Sequence, residues 1–221
     1  MAKRSNAMVS VGSFKVGAGQ PLVLIAGPDT IESEKHLLSH AERMAKMDKS
    51  QRAAESRSIC RRIREELPGD HLLICAYHPM PTEVDLLPLL RELMQEGHTI
   101  ALPHKEGRAF AFRIIKSLDA LVAGPFGVPE PHDEDPVAEL DAIDLVLLPG
   151  RGFDAQGNRL GRGNGGFDIF LTTLRKANPR AEAWGVCFDC QMLRSVPTDA
   201  HDERVDAVVT PRGMMRMTTE G

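Results

Sequence analysis

Six short apolar runs, separated by segments with helical spacing, constrain the fold of this chain more than any other feature. Each run is continuous in apolar residues, which is typical of strands that are buried on both faces of a parallel sheet. The runs cover residues 21–27, 71–77, 99–102, 144–148, 183–188 and 205–209. We expect each of them to be a strand, with the third ending at Pro103.

The segments between the runs carry apolar residues at helical spacing, with charged residues on the opposite face. They cover residues 33–46, 51–67, 83–96 and 167–177. Alternating strands and helices predict an α/β fold in which helices cover both faces of a mostly parallel sheet. Ligands of such sheets bind beyond the carboxyl ends of the strands, so we expect the site in the loops that follow strands.

The composition excludes several functional classes. The chain has 221 residues, with 27 Lys and Arg against 31 Asp and Glu, a formal net charge of −4. This balance argues against nucleic-acid binding, since phosphate affinity depends on clustered cations. No run approaches the roughly 18 apolar residues of a membrane span. Four cysteines are too few for a disulfide scaffold, so we expect a cytoplasmic protein. We also expect a monomer or weak dimer.

A glycine-rich stretch, residues 149–168, follows the fourth predicted strand and leads into a predicted helix. Glycines let the backbone approach a ligand closely, and a helix N-terminus favours phosphate. Arg159 and Arg162 supply cations that can hold phosphoryl oxygens. The alternative is a flexible surface loop with incidental arginines. We favour a phosphate-binding loop, although it lacks the Gly-Lys-Ser/Thr of the Walker pattern.

Two aspartates near this stretch are candidate ligands of a divalent cation. Asp168 stands where the loop meets the predicted helix, and Asp202 precedes the last predicted strand. Mg²⁺ prefers a few carboxylates together with water and phosphate oxygens. Asp168 is equally well explained as a helix N-terminal residue that the helix dipole favours.

Three further features have a structural and a functional interpretation. Cys187 and Cys190 form a lone CxxC, which we interpret as two small residues at a strand end rather than a zinc or redox site. Among the histidines, His78 is well placed for a ligand pocket because it follows the second predicted strand. Glu83, at the start of a predicted helix, is either a dipole-stabilised carboxylate or a hydrogen-bond acceptor in the crevice above the sheet.

The glycine-rich stretch resembles the signature of the 5-formyltetrahydrofolate cyclo-ligase family. The resemblance runs over about residues 47–217. Its motifs are Met80-Pro81-Thr82-Glu83-Val84, Gly127-Val128-Pro129-Glu130-Pro131, Gly157-Asn158-Arg159-Leu160-Gly161-Arg162-Gly163, Asp168 and Cys187-Phe188-Asp189-Cys190-Gln191. It implies a three-layer α/β/α sandwich and an ATP- and Mg²⁺-dependent conversion of 5-formyltetrahydrofolate to 5,10-methenyltetrahydrofolate, with ADP and phosphate released.

The resemblance also implies roles for individual residues. Arg159 and Arg162 would be the catalytic cations, Asp168 and Asp202 the Mg²⁺ ligands, and Glu83, His78 and Phe126 the residues of the reduced-folate pocket. The ATP phosphates would be bound by Arg159, Leu160, Gly161, Arg162, Gly163, Asn164, Gly165, Gly166 and Phe167. The family usually has a lysine at the position of Asn164, and Gly-Tyr-Tyr-Asp where this chain has Gly165-Gly166-Phe167-Asp168.

The front of the chain departs from that family. We interpret residues 1–8 as a cloning remnant, 9–46 as an N-terminal leader and 47–221 as the α/β domain. The leader resembles the opening of the 3-deoxy-octulosonate 8-phosphate synthase family, whose TIM barrel needs at least about 200 residues. Lys35 and Arg43 are candidates to replace a Lys-x-x-x-Arg pair of the cyclo-ligases. The alternative to an active enzyme is therefore a catalytically impaired folate- or nucleotide-binding protein of the same fold.

Overall fold

A computed structural model describes residues 9–11, 14–16, 47–106, 109–124, 127–163, 165–199 and 201–217 of the chain. The contacts divide the chain into two units, residues 1–30 and 31–221. In the first unit, β1 (Val9–Val11) pairs antiparallel with β2 (Phe14–Val16). The predicted strand 21–27, the predicted helix 33–46, Lys35 and Arg43 lie outside the described residues.

The second unit contains the remaining described elements. Its helices are α1 (Lys49–Glu66), α2 (Leu87–Gln95) and α3 (Gly166–Ala177). Its strands are β3 (Leu73–Cys75), β4 (Thr99–Glu106), β5 (Ala109–Ile114), β6 (Val122–Ala123), β7 (Pro129–Glu130), β8 (Leu145–Pro149), β9 (Gly152–Phe153), β10 (Arg159–Leu160), β11 (Glu182–Val186), β12 (Ala207–Thr210) and β13 (Gly213–Arg216).

Seven of these strands form one sheet in the order β13–β12–β11–β8–β3–β4–β5. The five inner strands are parallel to one another, and β5 and β13 pair antiparallel at the two edges. This confirms the mostly parallel sheet. The antiparallel edge strands were not predicted, because each begins only three positions after its neighbour ends, and no helix separates the two in the sequence.

Alternating residues of the inner strands pack into two separate cores. On one face, Leu145 and Leu147 of β8 join the buried side chains of α1 and α2. On the other face, Val146 and Leu148 join those of α3. Successive side chains of a strand point to opposite faces, so a strand covered on both sides needs a continuous apolar run. The helices on both faces confirm the three-layer arrangement.

Strand β4 does not end at Pro103, as the sequence predicts, but continues to Glu106. Ala76 donates its N–H to the carbonyl of Ala101, so the backbone polar groups of Ala101 point toward β3. The backbone of Pro103, two residues further along β4, faces the same side. At that position β3 has already ended, because its last residue is Cys75. The missing N–H of the proline therefore costs no hydrogen bond to β3, and the strand continues along β5.

The parallel strands end at one edge of the sheet, and the candidate residues follow that edge. The loop after β8 holds the glycine-rich stretch, and the loop after β3 holds His78 and Glu83. Because β3 and β8 are neighbours, these two loops start side by side. None of the helices that the structure describes combines the length and the apolar character of a membrane span.

Candidate functional site

The glycine-rich loop begins with a short hairpin that a buried aspartate stabilises. Strands β9 and β10 pair with Arg159 opposite Phe153. Between them, Asp154 is 1% exposed. Its Oδ1 accepts the N–H groups of Gln156 and Asn158, each at 3.0 Å. The carboxylate therefore shapes the turn that carries the chain to Arg159.

The second carboxylate oxygen of Asp154 ties this turn to the rest of the domain. Oδ2 accepts the side-chain amide of Asn158 at 2.9 Å and the N–H of Val196 at 2.8 Å. Sequence analysis did not identify Asp154 as part of the site. The sequence feature that could have identified it is the spacing from Asp154 to Gly157. An Asp with a glycine three positions later is a turn pattern, and Gly157 adopts the left-handed region (φ 80°).

Arg159 is a nearly buried cation that forms an ion pair with Asp168. Its side chain is 5% exposed, and its Nη2 lies 2.9 Å from Oδ2 of Asp168. The guanidinium carbon lies 5.4 Å from the centroid of the Phe167 ring. Its buried Nε has no hydrogen-bond partner among the described residues. Buried donors in proteins are normally paired, so an unpaired one in a candidate binding loop supports an anionic ligand nearby.

Two glycines let the loop turn into helix α3. Gly163 has φ 82° and Gly165 has φ 64°, in the left-handed region that favours glycine. An added Cβ would meet no atom within 4 Å at either position, so the loop surface is open there. Gly165 is the residue before the first turn of α3, whose N–H groups have no partner within the helix. This end of the helix suits a phosphate group.

The other predicted phosphate-loop residues lie between these points. Leu160 accepts the N–H of Arg151 at 2.7 Å, and an added Cβ at Gly161 would lie 3.0 Å from Nη1 of Arg159. Gly166 is the first residue of α3. Asn164 lies outside the described residues.

An ion pair joins the glycine-rich loop to the loop after β3. Nη2 of Arg162 lies 2.8 Å from Oε1 of Glu83. The other carboxylate oxygen of Glu83, Oε2, accepts the N–H of Met80 at 2.9 Å. The Glu83 side chain is 11% exposed and the Arg162 side chain 42%. The structure therefore places Arg162, a candidate residue for phosphate binding, against Glu83, a candidate residue for folate binding.

Glu83 does not begin a helix, as the sequence predicts. Helix α2 starts at Leu87, and Glu83 lies in the preceding turn, where its N–H donates to the carbonyl of Met80. Pro88 lies in the first helical turn, where a missing N–H costs nothing. Asp85 accepts the N–H of Leu87, the first residue of the helix, through Oδ1. The interpretation of Glu83 as a dipole-stabilised residue is therefore wrong.

Asp168 and Asp202 line one cavity of about 360 Å³, although they are 34 positions apart in the sequence. Asp168 is in the first turn of α3, and Oδ2 of Asp202 accepts the N–H of Asp199. No group of three or more His, Cys, Asp or Glu able to hold a metal ion occurs among the described residues. Two carboxylates suit an ion that takes its other ligands from water and phosphate, as Mg²⁺ does.

The loop after β3 also holds the predicted pocket residue His78. Burial lowers the pKa of His78 below its ordinary value, which favours the neutral imidazole. Its neighbour Tyr77 is buried and donates its hydroxyl to the carbonyl of Val84 at 3.1 Å. This hydrogen bond closes the loop that contains Glu83. The third predicted folate residue, Phe126, lies outside the described residues.

A second histidine, which sequence analysis passed over, lines a larger cavity at the end of β4. This cavity has a volume of about 640 Å³. Nε2 of His104 lies 3.0 Å from Oδ1 of Asp133, and Nδ1 lies 3.6 Å from Oε2 of Glu130. Sequence analysis passed over His104 although it follows the expected strand end at Pro103, because its acidic neighbours are more than 20 positions away in the sequence.

The CxxC cysteines pack into different cores. Cys187 belongs to the core on the α3 face, with its Sγ 3.8 Å from Sδ of Met192. Cys190 packs against the opposite core, with its Sγ 3.3 Å from Sδ of Met47. Burial raises the pKa of the Cys187 thiol far above its ordinary value. This arrangement agrees with two small residues at a strand end.

Comparison with known proteins adds independent information. A model of the 5-formyltetrahydrofolate cyclo-ligase family matches residues 33–211. The chain is 29% identical over 178 residues to a probable 5-formyltetrahydrofolate cyclo-ligase of Schizosaccharomyces pombe, covering 74% of this chain and 87% of that protein. The NMR structure of Aquifex aeolicus 5,10-methenyltetrahydrofolate synthetase is similar with a TM-score of 0.70 and 28% identity, covering 85% of this chain and 93% of that one.

A short separate similarity agrees with the second resemblance. A stretch of 36 residues is 61% identical to 2-dehydro-3-deoxyphosphooctonate aldolase of Trichlorobacter lovleyi. It covers 16% of this chain and 13% of that protein. A match this short carries no argument about activity.

Proposed function

Because the chain belongs to the 5-formyltetrahydrofolate cyclo-ligase family, we propose that it converts 5-formyltetrahydrofolate to 5,10-methenyltetrahydrofolate at the expense of ATP. The observation that carries the proposal for this site is the ion pair between Arg162 and Glu83, 2.8 Å long. It brings the phosphate-binding loop and the folate-binding loop to one place, as transfer between two bound substrates requires.

The proposed reaction has two steps. The formyl oxygen attacks the γ-phosphorus of ATP, and the bond from that phosphorus to the bridging oxygen breaks, releasing ADP. Nitrogen 10 of the folate then forms a bond to the activated formyl carbon and loses its proton. That new bond closes the five-membered ring, and phosphate then leaves with the former formyl oxygen, which gives the methenyl carbon. Such chemistry depends mainly on positioning and on stabilising charge, with little covalent work by the protein.

The residues of the chain divide these tasks. Arg159 and Arg162 hold the oxygens of the transferred phosphoryl group, where negative charge is concentrated. Arg159 is fixed by Asp168 and Phe167, whereas Arg162 is half exposed and able to turn from Glu83 to a phosphate. Glu83 accepts hydrogen bonds from the folate, and its own turn holds its carboxylate in place through Met80. His78 lines the same pocket in its neutral form.

The site also fits a magnesium ion. Asp168 and Asp202 line one cavity next to the proposed phosphate loop, and carboxylate oxygens are ligands that Mg²⁺ prefers. These two aspartates would hold the ion. When bound, Mg²⁺ neutralises part of the charge on the phosphate oxygens.

The test is to mix the chain with 5-formyltetrahydrofolate, ATP and Mg²⁺, and to follow methenyltetrahydrofolate absorbance and ADP together. We expect both products in equal amounts, and neither when one substrate is omitted. Binding of both substrates without product would instead support the catalytically impaired binding protein. The altered residues Asn164 and Phe167 would then be the first positions to restore to lysine and tyrosine.

We further propose that the protein is cytoplasmic and that it is a monomer or weak dimer.

A further inference from the structure

Gln191, the last residue of the motif that follows β11, is a buried polar side chain to which the proposed reaction gives no task. It is 3% exposed. Its Oε1 accepts the N–H of Phe188 at 2.9 Å. Its Nε2 donates to the carbonyl of Gly150 at 2.7 Å and to that of Arg151 at 3.3 Å. Burying a carboxamide is costly unless its polar atoms are paired, and here both its oxygen and its nitrogen have partners.

The partners of Gln191 allow the carboxamide one orientation. Its oxygen must face the N–H of Phe188, and its nitrogen must face the two carbonyl groups, because a carbonyl group cannot donate. Strands β8 and β11 are adjacent and parallel, so the loops that follow them start side by side. Gln191 therefore ties the loop after β11 to the start of the glycine-rich stretch after β8.

The backbone that Gln191 holds is the backbone against which Arg159 packs. A Cβ added to Gly150 would lie 3.3 Å from Cγ of Arg159, so the two residues are in close contact. Arg151 donates its N–H to the carbonyl of Leu160, the residue after Arg159, at 2.7 Å. A shift of either carbonyl group away from Gln191 would consequently move the stem of Arg159.

The residues after Gln191 support the same hairpin. Leu193 donates its N–H to the carbonyl of Phe153 at 2.7 Å, and Met192 forms a parallel bridge with Phe153. Phe153 in turn lies opposite Arg159 in the β9–β10 pair. The side chain of Gln191 and the backbone that follows it thus act on one element, the hairpin that carries Arg159.

We propose that Gln191 is a positioning residue, which holds the β9–β10 hairpin so that the Arg159 guanidinium faces the transferred phosphoryl group. This role rests on the proposed function, and Gln191 itself touches no substrate. Arg159 is 5% exposed and paired with Asp168, so it has little freedom to correct a displaced backbone. A cation that is already in place binds phosphate without the entropy cost of being ordered, and small displacements reduce that advantage.

The test is Gln191→Glu, which keeps an acceptor for the N–H of Phe188 but turns an oxygen toward the carbonyl of Gly150. Titration calorimetry measures the dissociation constants for ATP with Mg²⁺ and for 5-formyltetrahydrofolate. We expect the constant for ATP to rise roughly tenfold and that for the folate to stay unchanged. Gln191→Met removes the same hydrogen bonds without adding a charge, and it should change the ATP constant in the same direction if the glutamate variant does not fold.

The matched control is Asn178→Asp, the same exchange at a second buried carboxamide. Asn178 ends α3, far along the chain from the glycine-rich stretch, and its Nδ2 donates to the carbonyl of Ile143 at 2.8 Å. The control should lower the free energy of unfolding in urea, as Gln191→Glu does, and should leave the ATP constant unchanged. A loss of stability alone therefore does not explain a loss of ATP affinity.

Combining Gln191→Glu with Arg159→Lys tests whether the one residue acts through the other. The lysine keeps a cation but not the guanidinium geometry, so the two changes together should weaken ATP binding by less than the product of their separate factors. A full product would overturn the proposal, and so would an unchanged ATP constant in both Gln191 variants or an equal loss of folate binding. If the unchanged chain bound no ATP, the proposed function itself would fail, and the role of Gln191 with it.

Discussion

Arg162 and Glu83 are 79 positions apart in the sequence, yet Nη2 of the arginine lies 2.8 Å from Oε1 of the glutamate. The contact forms because the two loops follow β8 and β3, which are adjacent parallel strands. Each side chain is also a candidate ligand for a different substrate. A substrate that binds one of these side chains breaks the ion pair and frees the other side chain. The binding of the two substrates is therefore coupled through this contact.

Arg162→Ala should weaken ATP binding by roughly tenfold or more, because a charged contact to phosphate is lost. The side chain is 42% exposed, so the free energy of unfolding should change little. Calorimetric titration with ATP and urea denaturation measure the two effects. Arg180→Ala, the same change at an exposed turn after α3, is the control. An unchanged dissociation constant for ATP in the Arg162 variant would show that the glycine-rich loop does not bind the phosphates.

Glu83→Gln should weaken binding of 5-formyltetrahydrofolate by roughly tenfold and should not weaken ATP binding. The glutamine can still accept the N–H of Met80, but it carries no charge to hold Arg162, which becomes free for phosphate. Separate titrations with each substrate decide this. Glu92→Gln, on the exposed face of α2, should affect neither substrate. Equal loss of both substrates would identify Glu83 as a structural residue.

Asp154→Ala should destabilise the domain by about 3 kcal/mol, because it leaves buried backbone N–H groups without acceptors. Two of its four hydrogen bonds go to Asn158, directly before Arg159. ATP binding should therefore fall together with stability. Urea denaturation gives the free energy of unfolding, and Asp70→Ala, the same change at an exposed position before β3, serves as the comparison. Full stability of the Asp154 variant would contradict the role of this carboxylate in shaping the loop.

The thiols of Cys75 and Cys187, which are buried, and of Cys60, which is partly buried, should be unreactive in the native protein at pH 8. Burial raises the pKa of Cys60 to about 12 and that of Cys75 and Cys187 well above the ordinary value. A raised pKa leaves almost no thiolate at pH 8, and the thiolate is the reactive species. Mass spectrometry after brief iodoacetamide treatment should find these three unmodified, whereas the same treatment in urea should modify them. Rapid native labelling of Cys187 would contradict its placement in the core.

The contribution of the leader (residues 9–46) to ATP binding remains a prediction from the sequence, because Lys35 and Arg43 lie outside the described residues. On one helix, eight residues span about 12 Å along the axis, too far for both cations to contact one phosphate. We therefore expect one of Lys35→Ala and Arg43→Ala to raise the Michaelis constant for ATP by roughly tenfold. Steady-state kinetics on both single variants measure this. If both variants keep the original constant, the glycine-rich loop holds ATP without the leader.

The inner sheet and the candidate phosphate-binding loop can be recognised from the amino-acid sequence alone. A strand buried on both faces must be apolar at every position, and this is visible without any knowledge of its neighbours, as in Leu145 to Leu148. Likewise, glycines that must adopt a positive φ, such as Gly163 and Gly165, are marked by their type alone. These features are local, so a single sequence carries them.

Which side chains meet at the edge of the sheet depends instead on how the strands are arranged in three dimensions. The order of the strands brings Glu83 to Arg162, and the start of α3 brings Asp168 to Arg159 and to the cavity that Asp202 also lines. The continuation of β4 through Pro103 has the same origin, because it depends on where the neighbouring β3 ends. Contacts between distant segments depend on the packing of the whole sheet, and local residue patterns do not encode that order.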